Sequence, residues 1–210
     1  GYNAGYRLGG TQYNVMIGDY AGYSSNTINN RHTYVGYDSG KYIDTGLANV
    51  AIGYQAMESA NSSTDNNASY NVAVGYQALE KITDANYNTA VGQYAGQNNT
   101  TGGLNTFIGK NSGQHLSTGI QNTMVGLESG LNSTDVDKTV LIGNNAGRGG
   151  LTSAADGTII IGHEAGYGLT TASQNTIIGY RAARSGVSDI HSAVIIGYEA
   201  MYTNTDSSGN

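Results

Sequence analysis

One short pattern returns from one end of this chain to the other, and its period limits the fold more than any other property. Taking a recurrent Gly as register zero, copies stand at Gly1, Gly18, Gly36, Gly53, Gly75, Gly92, Gly109, Gly126, Gly143, Gly162, Gly179 and Gly197, and seven of the eleven spacings are 17 residues. A clean copy reads Asn88-Thr89-Ala90-Val91-Gly92-Gln93-Tyr94-Ala95-Gly96. A unit near 17 residues is too short for a helix pair and suits short strands joined by turns, each copy forming one coil of a solenoid. The fold class is therefore all-β, a parallel β-solenoid of about eleven coils. With strands about 4.8 Å apart, such a stack is a rod roughly 50 Å long.

Three positions of the repeat carry the reading. The residue before each Gly, from Ile17 to Ile196, is Val or Ile in all eleven copies, and the residue three before, from Val15 to Val194, is Val, Ile or Thr. Two such positions two apart describe one face of a strand. The Gly then turns the chain. Three residues later every copy has Ala or Ser, which implies a crowded site where a second wall approaches the first. Asn fills the fourth position before the Gly in seven copies, where stacked amides can bond coil to coil or favour a turn.

Composition excludes the competing classes. The 210 residues include 32 Gly but no Pro, Cys or Trp, so neither collagen nor a disulfide scaffold is open to the chain. Charged residues are 11% and apolar ones 38%, which is not the balance of a disordered chain. The formal charge is -6 and the nine Lys and Arg form no cluster, so no nucleic-acid partner is expected. No apolar run of bilayer length or signal pattern is present, and no membrane insertion by this segment is expected.

If the β-branched face points inward, strand alternation puts the residue two before each Gly on the outside. That row contains no charge, and from Phe107 onward it is a ladder of large groups: Phe107, Met124, Leu141, Ile160, Ile177 and Ile195. These six are the expected oligomer interface, because a soluble monomer does not leave such a patch in water. Ala51, Ala73 and Ala90 in the same row predict a closer approach of the chains there. The same alternation sends Thr33, Thr89, Thr106, Thr123 and Thr176 inward, which argues against an ice-binding grid, the alternative function for a β-solenoid.

No chemistry-bearing constellation emerges. His32, His115, His163 and His191 occupy unrelated register positions, and Glu128, Glu164 and Glu199 share the position two after the Gly with Arg181, Gln55 and Tyr94. Ser lacks a partnered His and acid, and no Gly-rich loop opens a helix. The reading is of a non-enzyme with no catalytic, cofactor or metal site. A speculative ligand surface comprises Tyr37, Tyr54 and Tyr76, which follow the register Gly, together with Glu58, Asn61, Asp65 and Asn67 in an inserted surface loop at 58–70, where one coil runs to 22 residues. Tyr stacking on Tyr along the coil edge is the simpler account of the first three.

Asn71-Val72-Ala73-Val74-Gly75 and Asn88-Thr89-Ala90-Val91-Gly92 resemble the YadA-like head repeats of trimeric autotransporter adhesins, and similar repeats of bacteriophage tail fibres. The resemblance covers nearly the whole chain. It implies a left-handed β-roll, a homotrimer, and an extracellular position on a bacterial cell surface or a virion. The function expected is then a structural and adhesive fibre module, a stalk or an attachment head, with a host-surface glycan or protein receptor as the partner. The first and last copies, which lack caps, read as parts of a longer fibre, with 1–210 as one solenoid domain.

Overall fold

The computed structural model describes residues 1–7, 13–25, 31–59, 66–185 and 190–202. Eleven three-residue strands stack in chain order into one parallel sheet: β1 (Val15–Ile17), β2 (Thr33–Val35), β3 (Val50–Ile52), β4 (Val72–Val74), β5 (Thr89–Val91), β6 (Thr106–Ile108), β7 (Thr123–Val125), β8 (Val140–Ile142), β9 (Ile159–Ile161), β10 (Thr176–Ile178) and β11 (Val194–Ile196). Every strand pairs with the next in the register of the repeat, so Val72 meets Thr89, Ala73 meets Ala90 and Val74 meets Val91. A 3-10 turn at Ser153–Ala155 is the one helical element among the described residues. The parallel β-solenoid with a repeat near 17 residues is what the periodicity predicts, and the stack makes about ten turns.

Each coil is tied to the next beyond its strand. In the turn, the amide two residues after the register Gly donates to the carbonyl one coil back, as Gln77 does to Tyr54 at 2.9 Å. The amide four residues after the Gly donates to the coil ahead, as Gly96 does to Ser112 at 2.9 Å. The register Gly is demanded by this stacking. Gly92 has φ +139°, and a Cβ there would lie 2.5 Å from the carbonyl oxygen of Gly109 in the next coil. The Ala or Ser three residues on is buried from Ala21 to Ala182, and where it is Ser its hydroxyl donates to the next coil: Ser39 to the Ala51 carbonyl, Ser112 to Met124 and Ser129 to Leu141, each at 2.8 Å.

The direction of the strand side chains is the reverse of the expectation. Phe107, Met124, Leu141, Ile160 and Ile177 are fully buried inside their own chain and Ile195 nearly so; they are the hydrophobic core and not an oligomer interface. The β-branched rows face outward instead. Ile17 is 59% exposed, Ile108 41% and Val194 72%, and no member of either row is buried. The reason is the width of the coil. Across from each strand, the residue four after the register Gly sits in left-handed conformation against the core row, and the two positions share one volume.

Facing Met16 and Tyr34, and again from Phe107 to Ile160, the turn residue is Gly: a Cβ on Gly113 would lie 2.4 Å from the Phe107 ring, and one on Gly40 2.5 Å from the Tyr34 ring; Ile177 faces Ala183, and Ile195 faces Met201. Facing Ala51 and Ala73, a large side chain crosses over. Met57 and Leu79 are both fully buried in the stretch lined by Ala51, Ala73 and Ala90. Those three alanines therefore mark space filled from the same chain, which corrects the expected close approach of neighbouring chains. Interiors keep near-crystalline packing density, so most coils match a large partner with a small one. Ile43, Ile82, Leu116, Leu151 and Leu169 close the core from the remaining side.

The reversal predicts a contrast between neighbours on one strand. Leu141→Ala, inside β8, lowers unfolding free energy by about 2 to 5 kcal/mol. Ile142→Ala, outside it, costs the dissociated chain distinctly less, about 1 kcal/mol, since its side chain is only partly buried and leaves no internal cavity. Urea unfolding of the two variants at low protein concentration measures both.

Candidate functional site

The most regular feature of the surface is the outward face of the eleven-stranded sheet. It carries two parallel files, one of Val and Ile immediately before the register Gly and one of Val, Ile and Thr three before it. Parallel in-register pairing places like on like, for example Thr89, Thr106 and Thr123 beside Val91, Ile108 and Val125. Neither file contains a charged residue. Thr33, Thr89, Thr106, Thr123 and Thr176, expected inward, are half-exposed on this face.

Tyr rings border the face. Tyr37, Tyr54 and Tyr76 stack in sequence, with centroids 5.4 Å and 5.2 Å apart and ring planes within 11°. Tyr94 and Tyr20 close this ladder edge-on at its two ends, against Tyr76 and Tyr37. On the other border Tyr70 and Tyr87 stack at 5.1 Å with planes 2° apart. Stacking of ring on ring covers the faces between Tyr37, Tyr54 and Tyr76, which is the simpler account of these three residues of the speculative ligand surface. Phenol ionisation is opposed here: the Asp38 carboxylate raises the Tyr37 pKa, and partial desolvation raises that of Tyr76.

Of the remaining residues of the expected ligand surface, Glu58 and Asn67 are described. Glu58 belongs to a row at the turn: Lys41 lies 3.1 Å from Asp38 and 3.9 Å from Glu58, and the Glu58 pKa is raised by partial burial and by the Asp38 charge. Asn67 is exposed, and its carbonyl accepts the Ser69 hydroxyl at 2.9 Å. Asn61 and Asp65 lie outside the described residues. The stem of the inserted loop is held by Asn66, whose Nδ2 donates to the Tyr42 carbonyl and the Ser59 hydroxyl, both at 2.7 Å.

The acidic positions after the register Gly are occupied by structure. Glu164 accepts from Arg181 at 3.0 Å and Arg184 at 2.7 Å, and the Arg184 hydrogen bond holds its carboxyl below the usual range. Glu128 pairs with Arg148 at 2.7 Å. Gln77, two after its register Gly, and Gln97 and Gln114, five after theirs, form an amide ladder that also engages Glu80. Among the described residues no group of three His, Cys, Asp or Glu is placed to hold a metal ion, and no helix is long and apolar enough to cross a membrane.

Inside the coil, the Asn row forms the ladder that the repeat suggests. Asn88 Oδ1 accepts the Asn105 amide at 2.9 Å, Asn105 Oδ1 accepts that of Asn122 at 2.9 Å, and each Nδ2 donates across the coil, Asn105 to Gly119 and Asn122 to Val136. These amides are buried and satisfy the backbone that bends into the strand. Asn105→Ala leaves the Asn122 amide and the Gly119 carbonyl without those partners, at about 1 to 3 kcal/mol for each buried group. Chemical denaturation measures the loss, and Asn105→Asp does not restore it, because a carboxylate cannot donate to Gly119.

His32 replaces Asn in this ladder. Its Nδ1 accepts the Asn49 amide at 3.1 Å, its Nε2 lies toward the Gly46 carbonyl at the margin of hydrogen-bonding geometry, and its ring stacks on Tyr34 at 4.7 Å. Only the neutral imidazole can accept from Asn49. Burial lowers the pKa from 6.5 to about 4. The unfolded chain therefore takes up a proton first, and the stability that neutral His32 contributes is complete above pH 6.5 and lost as pH falls towards 4. The loss is on the order of 3 kcal/mol. Urea midpoints between pH 7 and 4 show this slope, and His32→Asn, which restores the ladder, flattens it.

A scan against protein-family models and searches against curated proteins and solved structures gave no significant match to the chain.

Proposed function

We propose that this chain is a structural and adhesive fibre module that works as a homo-oligomer, a trimer by the resemblance of its repeat to adhesin heads and tail fibres, displayed outside a bacterial cell or on a virion. The observation that carries the reading is the outward aliphatic face: two uncharged files running through all eleven strands of one rod. The surface proposed to meet a sister chain is thus the β-branched pair of files and not the row headed by Phe107. Half-exposed Val and Ile have about 1 kcal/mol each still to gain from full burial. Over two files this is on the order of 10 to 20 kcal/mol gross, enough to exceed an association cost of about 4 to 15 kcal/mol. Adhesion would then fall to the outer flanks and the loop at 58–70.

Light scattering on the purified chain tests the assembly. The expected mass is a small multiple of one chain, and Val91→Lys with Ile108→Lys and Val125→Lys reduces it to a monomer that keeps its β-sheet circular dichroism. A wild-type monomer, or a triple variant of unchanged mass, contradicts the reading.

A second reading has one specific observation in its favour. The outward, evenly spaced Thr of the strand face, with Thr89, Thr106 and Thr123 consecutive, form a regular hydroxyl and methyl array of the kind an ice-binding solenoid requires. Thermal hysteresis decides between the two: a face covered by a sister chain gives none, whereas a freezing gap abolished by Thr106→Lys in a monomeric chain assigns the face to ice.

A further inference from the structure

A solenoid with no Cys has no disulfide with which to fasten one coil to the next, yet this one places pairs of Tyr rings on adjacent coils in face-to-face contact. Tyr37, Tyr54 and Tyr76 sit on three successive coils, and Tyr70 and Tyr87 on two. Their centroids are 5.1 to 5.4 Å apart and their planes nearly parallel. All five are exposed, from 42% to 57%, so an oxidant can reach them and a ring can tilt without disturbing the core. Holding two reacting groups in contact turns a bimolecular coupling into an effectively unimolecular one.

We propose that these stacked pairs are oxidative modification sites, at which dityrosine bonds form within one chain and staple neighbouring coils. The co-reactant is a peroxide acting through a one-electron oxidant such as a haem peroxidase. Each of two phenols gives up one electron and its hydroxyl proton to become a phenoxyl radical. The two radicals join by a carbon–carbon bond between ring positions ortho to the oxygens, and each joined carbon releases its hydrogen as a proton while the phenol hydroxyl is restored. The sum is loss of two hydrogen atoms from the pair and reduction of one hydrogen peroxide to two waters. A link between Tyr37 and Tyr54 closes one coil, a loop of the kind that a cross-link stabilises by restricting the unfolded chain. This placement depends on the fold of the single chain and is independent of what covers the aliphatic face.

The test treats the native chain at low micromolar concentration with haem peroxidase and hydrogen peroxide. Expected are dityrosine fluorescence, a loss of two hydrogens per link in the intact mass, single-chain mobility on denaturing gels, and peptides joining Tyr54 to Tyr37 or Tyr76 and Tyr70 to Tyr87. The double variant Tyr54→Phe, Tyr87→Phe keeps the rings stacked and the thermal midpoint near that of wild type, but loses those peptides. Oxidised wild type unfolds at higher urea than untreated chain, and the variant gains less. Chain-to-chain links as the dominant product, native and urea-unfolded chains giving the same linked peptides, or absence of these pairs among the products each overturns the proposal.

Discussion

Parallel stacking in register is the constraint on which everything else in this molecule rests. Each side chain lies one strand spacing from the corresponding side chain of the next coil, so a repeat position must tolerate its own copies as neighbours. Gly92 beneath Gly109 is the strictest case, because no Cβ fits above a carbonyl oxygen 2.5 Å away. The amide ladder is the most productive case: an Asn side chain both accepts and donates, so a column of them satisfies itself and the backbone beside it. Where a different residue enters the column it must reproduce that polarity, as neutral His32 does.

The same constraint makes the core a set of shared volumes. One coil contributes a strand residue and a facing turn residue, and the pair is large with Gly at Phe107 and Gly113, and small with large at Ala73 and Leu79, while towards the C-terminal end Ile177 meets Ala183 and Ile195 meets Met201. Ala90 with Gly96 departs from the rule within its own coil, and Leu79 and Phe107 from the flanking coils close around that glycine. Packing is therefore solved between neighbouring coils as well as within them. The outer face obeys no such trade, and it stays uniformly β-branched.

The period, the strands and the amide column were legible because each is a local property repeated many times, and Val72, Thr89 and Thr106 could hardly be read as anything but strand. Which side of the strand faces the core was not legible from regularity. Uniform Val and Ile at one row point to the core, and the variable row holding Ala51, Phe107 and Met124 to the exterior. In a coil this narrow the inference runs the other way: an interior residue can vary because its partner across the coil varies with it. Two signals in the sequence carried the answer. The buried Asn row shares strand parity with Phe107 and not with Ile108, and Met57 and Leu79 appear at the turn where the strand row is Ala. The tyrosine stacking was legible too, but that it hides ring faces required the ring angles.

The proposed assembly descends from that side-chain direction, and a chain without Cys allows it to be read residue by residue. Single cysteines at positions 141 and 142 are the most direct probe. In the folded protein Cys at 142 should react with a maleimide when the chain is dissociated, or cross-link chain to chain under mild oxidation when it is assembled, while Cys at 141 should stay inert until denaturant is added. Labelling or cross-linking at 141 in the native state, with 142 protected from both, would contradict the account.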